Sequence, residues 1–121
     1  MRGVAAVLAL AMMIPAEARA ENNRIVVGAG AESCGHWTIV RDQAKPNLVW
    51  PPEFWAYTSW VLGFVSAANS YAWPKHNLME GADGFGVWGL MDNYCKSHPT
   101  DTISDAASAV VLVLMHKSEQ R

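Results

Sequence analysis

Cys34 and Cys95 are the only two cysteines in this chain of 121 residues, and joining them would limit the folds open to the chain more than any other single feature. They stand 61 residues apart, so a bridge between them closes a loop that takes in most of any domain built here. The chain-entropy argument assigns such a closure roughly 4 kcal/mol, comparable with the whole net stability of a small domain. Pairing requires an oxidising compartment, and the N-terminus supplies a reason to expect one. Met1-Arg2 is a short basic start, Val4 to Ile14 carries no charge, Pro15 breaks the run, and Ala18-Arg19-Ala20 has the small-x-small form of an export-signal cleavage site. The apolar run is too short to span a bilayer. The expectation is therefore a signal peptide over 1–20, cleavage after Ala20, a periplasmic or secreted product, and one domain over 21–121. In that setting an even cysteine count favours a Cys34–Cys95 disulfide over two thiols. Neither sulfur belongs to a Cys-x-x-Cys pair or has a basic cluster beside it, so a redox or nucleophilic role lacks its usual signs.

Periodicity points to a mainly α protein, a small single-domain bundle of three to four helices with one disulfide. Gln43 to Pro52 holds Pro46, Pro51 and Pro52 and reads as a loop. Glu53 to Ala72 holds no proline and places Tyr57, Trp60, Val61, Phe64, Ala67, Ala68 and Tyr71 at threes and fours, the signature of a helix with those residues inward. Ser59, Gly63, Ser66, Ala67 and Ser70 recur at the same spacing, and a mid-helix glycine, which costs about 1 kcal/mol against alanine, calls for a packing reason. Nothing from Phe54 to Pro74 is charged, a length that would span a bilayer. Its five hydroxyl and amide residues, and the separation of the two cysteines that spanning would impose, argue against a stable membrane anchor.

Farther along, Asp83 is placed to cap a helix in which Val87, Met91, Tyr94 and Cys95 share a face. Thr100 or Asp101 is placed to cap a last helix to about Lys117, with Ile103, Ala106, Ala107, Val110, Val111 and Leu114 inward. Asp92 lies within a helix and is expected on its solvent side. Gly28-Ala29-Gly30 lacks the remainder of a dinucleotide fingerprint and reads as a turn.

Function classes narrow mostly by exclusion. A net charge of −2 does not suit nucleic acid. His36, His76, His98 and His116 have no paired metal-ligand spacing, and no nucleophile elbow, metalloprotease motif or spaced carboxylate pair stands out. No cofactor and no enzymatic activity are expected. The compositional excess is six tryptophans. Trp60 and Trp88 fall on helical segments and are expected in the core. Trp50, Trp55 and Trp73 flank proline-bearing loops and form the candidate binding patch, since tryptophan is favoured in interface hot spots.

The pattern Cys34-Gly35-x-Trp37, then Trp60-Val61-x-Gly63-Phe64-x-Ser66, then Trp88-x-x-x-Asp92-Asn93-Tyr94-Cys95, then His98-Pro99 before an alanine-rich helix, resembles a group of small exported proteobacterial proteins. These are similar to the Rap/Tai immunity proteins of type VI secretion and, more distantly, to HdeA-type periplasmic acid-stress chaperones. The first resemblance implies a non-enzymatic protein that binds and occludes a cell-wall-cutting toxin, with no contact residue carried over. The second implies a domain that acid loosens to expose apolar helix faces. A tryptophan-based ligand or glycan binder is the third expectation. A protein partner is expected, and oligomeric state is left open.

Overall fold

The computed structural model describes residues 25–44, 49–72 and 75–121. The expected signal peptide, and Trp73 of the candidate patch, lie outside the described residues. The described chain is a mainly α, four-helix domain with one disulfide, as the periodicity predicts. A 3-10 turn, Gly28–Ala31, leads into α1 (Cys34–Ala44), followed by α2 (Pro52–Ala67), α3 (Gly84–Ser97) and α4 (Ile103–Glu119). Helix α1 lies against α3, and α4 packs on both α3 and α2. No strand forms among the described residues, although Ser33 and Thr102 make a single antiparallel bridge.

That bridge anchors the entry to α1. A helix start leaves its first amides without internal partners, and here each finds one. Cys34 donates its backbone N–H to the carbonyl of Asp101 at 2.7 Å and Gly35 donates to that of Pro99 at 2.9 Å. The N–H of His36 reaches Ser33 Oγ at 3.2 Å. Ile103 returns a bond to the Glu32 carbonyl at 2.8 Å. The start of α1 is therefore bolted to the corner between α3 and α4. The disulfide from Cys34 to Cys95, with Cα atoms 4.7 Å apart, lies at the same corner and is fully buried.

Helix α2 departs from its predicted face. Of the residues expected inward only Val61 is fully buried, together with Phe54, Thr58 and Val65. Ala67 and Tyr71 are exposed, whereas Tyr57, Trp60, Phe64 and Ala68 are half-buried. Apart from Glu53 in its first turn the helix is apolar or small, so its own pattern has little contrast, and the neighbours rather than the periodicity choose the face. Thr58 is tolerated inside because its hydroxyl donates to the Phe54 carbonyl at 2.7 Å. The helix also starts and stops differently from the expected Glu53–Ala72. Pro52 occupies the first turn, where its missing N–H is harmless. At the other end the chain widens into a π turn, Ala68–Ala72. From this turn the Asn69 side chain accepts from Leu78 N–H at 2.7 Å and donates to Asn77 Oδ1 at 3.1 Å, which holds Leu78 in the core from within a loop.

Gly63 has no packing reason within the chain. It is exposed, and a Cβ placed on it would meet nothing within 4 Å. Ser59, Ser66, Ala67 and Ser70 are exposed with it. The close approach occurs instead at the 3-10 turn, where a Cβ on Gly30 would lie 2.1 Å from the Trp60 ring and Gly28 takes a positive φ of 73°. Trp60 donates its indole N–H to the Val27 carbonyl at 3.0 Å and stacks on Phe64. It is thus half-buried under the glycine turn and not in the central core where the sequence places it. Trp88 does enter the core.

Helices α3 and α4 follow their patterns closely. Val87, Met91 and Cys95 are buried and Tyr94 is half-buried. All six residues expected inward on α4 are buried. Asp83 caps α3 by accepting from Gly86 N–H at 2.8 Å. The cap of α4 is Thr102, not Thr100 or Asp101, with Asp105 completing a reciprocal capping box. Asp101 instead accepts a hydrogen bond from the Tyr94 hydroxyl at 2.7 Å.

Candidate functional site

The residues most suited to recognition gather where the start of α2 meets the start of α3. Phe54 is fully buried and forms the hub. Trp50 lies on one side of it with centroids 4.1 Å apart, and Trp55 and Trp88 meet it edge-on at 5.1 Å and 5.2 Å. Phe85 continues the chain of rings with an edge contact to Trp88 at 5.1 Å. Edge-to-face geometry of this kind adds to the apolar burial of each ring. The cluster breaks the surface at Trp55, 53% exposed, and at Phe85, 71% exposed, and Val49, next to Trp50 in the chain, is 71% exposed. Of the candidate patch, Trp50 and Trp55 are therefore brought together, with centroids 6.1 Å apart, and Trp55 is the more open.

A single cation underlies these rings. The guanidinium carbon of Arg41 lies 5.6 Å to 5.9 Å from the ring centroids of Trp37, Phe54 and Trp88, within cation–π range. Arg41 is held by Asp92, with Nε to Oδ1 at 2.9 Å and Nη2 to Oδ2 at 2.8 Å. Asp92 Oδ1 also accepts from the indole N–H of the fully buried Trp37 at 2.8 Å. Asp92 is thus a half-buried link between α1 and α3 and does not sit on the solvent side of its helix. The reason is positional: at i+4 from Trp88 and one residue from Met91 it falls at the margin of the buried face, where Arg41 reaches it from α1. The indole N–H of Trp88 is buried with no acceptor among the described residues.

Two hollows flank the cluster. An open groove of about 900 Å³ lies between the loop before α3, α3 itself and the end of α4, lined by Asp83, Gly86, Gly89, Leu90, Leu114 and Lys117 among others. A smaller one of about 230 Å³ is lined by Thr38, Arg41, Asp42, Asp92 and Lys96. The four histidines are all exposed and scattered, and no three metal-ligand side chains gather among the described residues. Among the described residues, no helix is long and apolar enough to cross a membrane.

Sequence reasoning missed Phe85, Val49, Arg41 and Asp92. A signal for Phe85 exists: an aromatic in the first turn of a helix, off the face of Val87 and Met91, has no place in that helix's own core. Arg41 and Asp92 are separated by 51 residues, and nothing local announces their pairing. Comparison with family models, with curated proteins and with solved structures finds no match.

Proposed function

We propose that this chain is a non-enzymatic, exported protein-binding domain of the immunity type, which acts in the periplasm by occluding a cell-wall-cutting toxin. The observation that carries the reading is the pair of exposed aromatics, Trp55 and Phe85, set on a base of Trp50, Phe54 and Trp88, with Val49 exposed next to Trp50 in the chain. Contiguous exposed apolar surface of this kind marks interaction sites in soluble proteins. Aromatics whose positions are already fixed lose little conformational entropy on docking, which is how a few residues come to dominate an interface. The Arg41–Asp92 pair beneath keeps that base in place without contributing a reactive group.

The test begins with the gene neighbourhood, where this reading expects a secreted cell-wall amidase, and continues with co-expression of the chain and that amidase in the periplasm. The chain should prevent lysis and bind the amidase in calorimetry, and Trp55→Ala or Phe85→Ala should weaken binding about tenfold or more. Full lysis in its presence, or binding indifferent to both substitutions, refutes the assignment. The adjacency of Trp50 and Trp55 also supports a second reading, a platform for sugar rings. Intrinsic fluorescence titrated with muropeptides would shift under that reading, and a flat response removes it.

A further inference from the structure

We propose that the indole N–H of Trp88 is the donor with which the aromatic site recognises its partner, through a backbone carbonyl that the partner inserts past Phe85. The proposal names the partner's chemistry at that site and rests on the protein-binding reading. Trp88 is 8% exposed, and its Nε1 is buried with no acceptor among the described residues. A donor in that position has given up its bond to water and received none in return, a state that native structures seldom keep without a reason. Trp37 and Trp60, by contrast, each have an acceptor, the Asp92 carboxylate at 2.8 Å and the Val27 carbonyl at 3.0 Å.

The groups packed on the ring decide how a ligand reaches it. Phe54, with its centroid 5.2 Å away, is fully buried and belongs to the core. Arg41, at 5.6 Å, is held by two bonds to Asp92. Phe85, at 5.1 Å, is 71% exposed in the first turn of α3. Of the three, Phe85 alone can rotate away without opening the core or breaking an ion pair, and it forfeits little more than an edge contact in doing so. The surroundings then select the ligand. Trp50 and Trp55 pack on Phe54, so the site around the donor is aromatic, and an anion would lose its hydration there. The charge of Arg41 is already matched by Asp92 and offers such an anion no compensation. A peptide carbonyl is neutral, accepts the N–H and comes flanked by side chains that can lie on Trp55. A site with one unpaired polar group among apolar ones discriminates strongly, because only a ligand that supplies the missing partner relieves its cost.

Replacing Trp88 by benzothienylalanine, which exchanges the N–H for sulfur and keeps the shape of the ring, removes the donor alone. The urea midpoint of the free domain should not fall, whereas the same replacement of Trp37 should lower it, because only Trp37 has an acceptor to lose. N-acetyl-leucine N-methylamide, titrated to about 20 mM, should move the indole proton resonance of Trp88 downfield in a saturable way and leave those of Trp37 and Trp60 in place. Phe85→Ala should speed solvent exchange of the Trp88 indole proton at least about tenfold. Toward the amidase, the domain carrying benzothienylalanine at position 88 should bind about tenfold more weakly. A midpoint that falls as far for Trp88 as for Trp37 shows the N–H already satisfied, by a ring face or otherwise, and overturns the proposal. So does a Trp88 resonance indifferent to the amide, or exchange that Phe85→Ala leaves unchanged. The titration and the exchange need no toxin, so this proposal and the toxin-binding reading can fail separately.

Discussion

Removing the Asp92 carboxylate should loosen the α1–α3 seam by an amount that can be worked out group by group. Asp92→Ala strands the indole N–H of Trp37, which is fully buried and has Asp92 as its acceptor; an unsatisfied buried donor costs about 1–3 kcal/mol. It also removes both bonds to Arg41. Breaking a fully buried ion pair costs about 3–5 kcal/mol, but the side chains here are 14% and 28% exposed. Water can therefore reach the freed guanidinium, and its contacts with three rings persist, so about 1 kcal/mol is the appropriate share. The sum is about 3 kcal/mol, or roughly 10–20 °C in melting temperature for a domain of this size. Asp92→Asn keeps an acceptor for Trp37 and should lose only about 1–2 kcal/mol. Urea unfolding followed by circular dichroism, with the disulfide intact, gives both values. A loss below about 0.5 kcal/mol for the alanine variant would refute the reasoning. So would equal losses for alanine and asparagine, or strict additivity with Trp37→Phe, because residues in one network must couple.

Three further outcomes follow from other parts of the fold. Replacing Cys34 and Cys95 together by alanine should destabilise the domain by roughly 4 kcal/mol in the same urea assay, given the 61 residues their bridge encloses. Gly30→Ala should lose about 1–3 kcal/mol, since the new Cβ would overlap a Trp60 ring already fixed by Val27 and Phe64; Gly63→Ala, with open space around it, should be neutral or stabilising in the monomer. Tyr94 has its phenol held above the usual value of 10.0, first by its hydrogen bond to Asp101 and then by burial and the charges of Asp101 and Asp105. The neutral phenol is the form the fold prefers, so its contribution is complete below pH 10 and is lost as pH rises through the raised folded value. Alkaline unfolding should therefore be shallower in Tyr94→Phe, and identical curves for the two proteins would exclude this role.

What the sequence could reveal depended on how local the cause was. The α3 and α4 core faces were legible because each helix contrasts apolar and polar sides within its own turns. The Asp83 cap was equally legible, since a cap bonds within three residues. The cap of α4 slid to Thr102 because Thr100, Asp101 and Thr102 are all competent. The choice fell to Thr102 as the bridge to Ser33 and the bond from Cys34 to the Asp101 carbonyl fixed the preceding backbone. Of the candidate patch, Trp50 and Trp55 were found from their place beside prolines, but Phe85 joined them only because α3 begins where α2 begins in space.

By itself, then, the sequence determined a mainly α domain of three to four helices with Cys34 and Cys95 as the expected staple, since helical periodicity, proline breaks and an even cysteine count are properties read along the chain. Only the tertiary structure decided which side of α2 is buried, because a helix of nearly uniform polarity takes its orientation from what packs against it. It also decided that Asp92 is a link between helices and that the glycine needed for close packing is Gly30, with Gly63 left facing outward. Those outcomes rest on contacts between residues 30 to 55 positions apart, and no periodicity along a single helix encodes them.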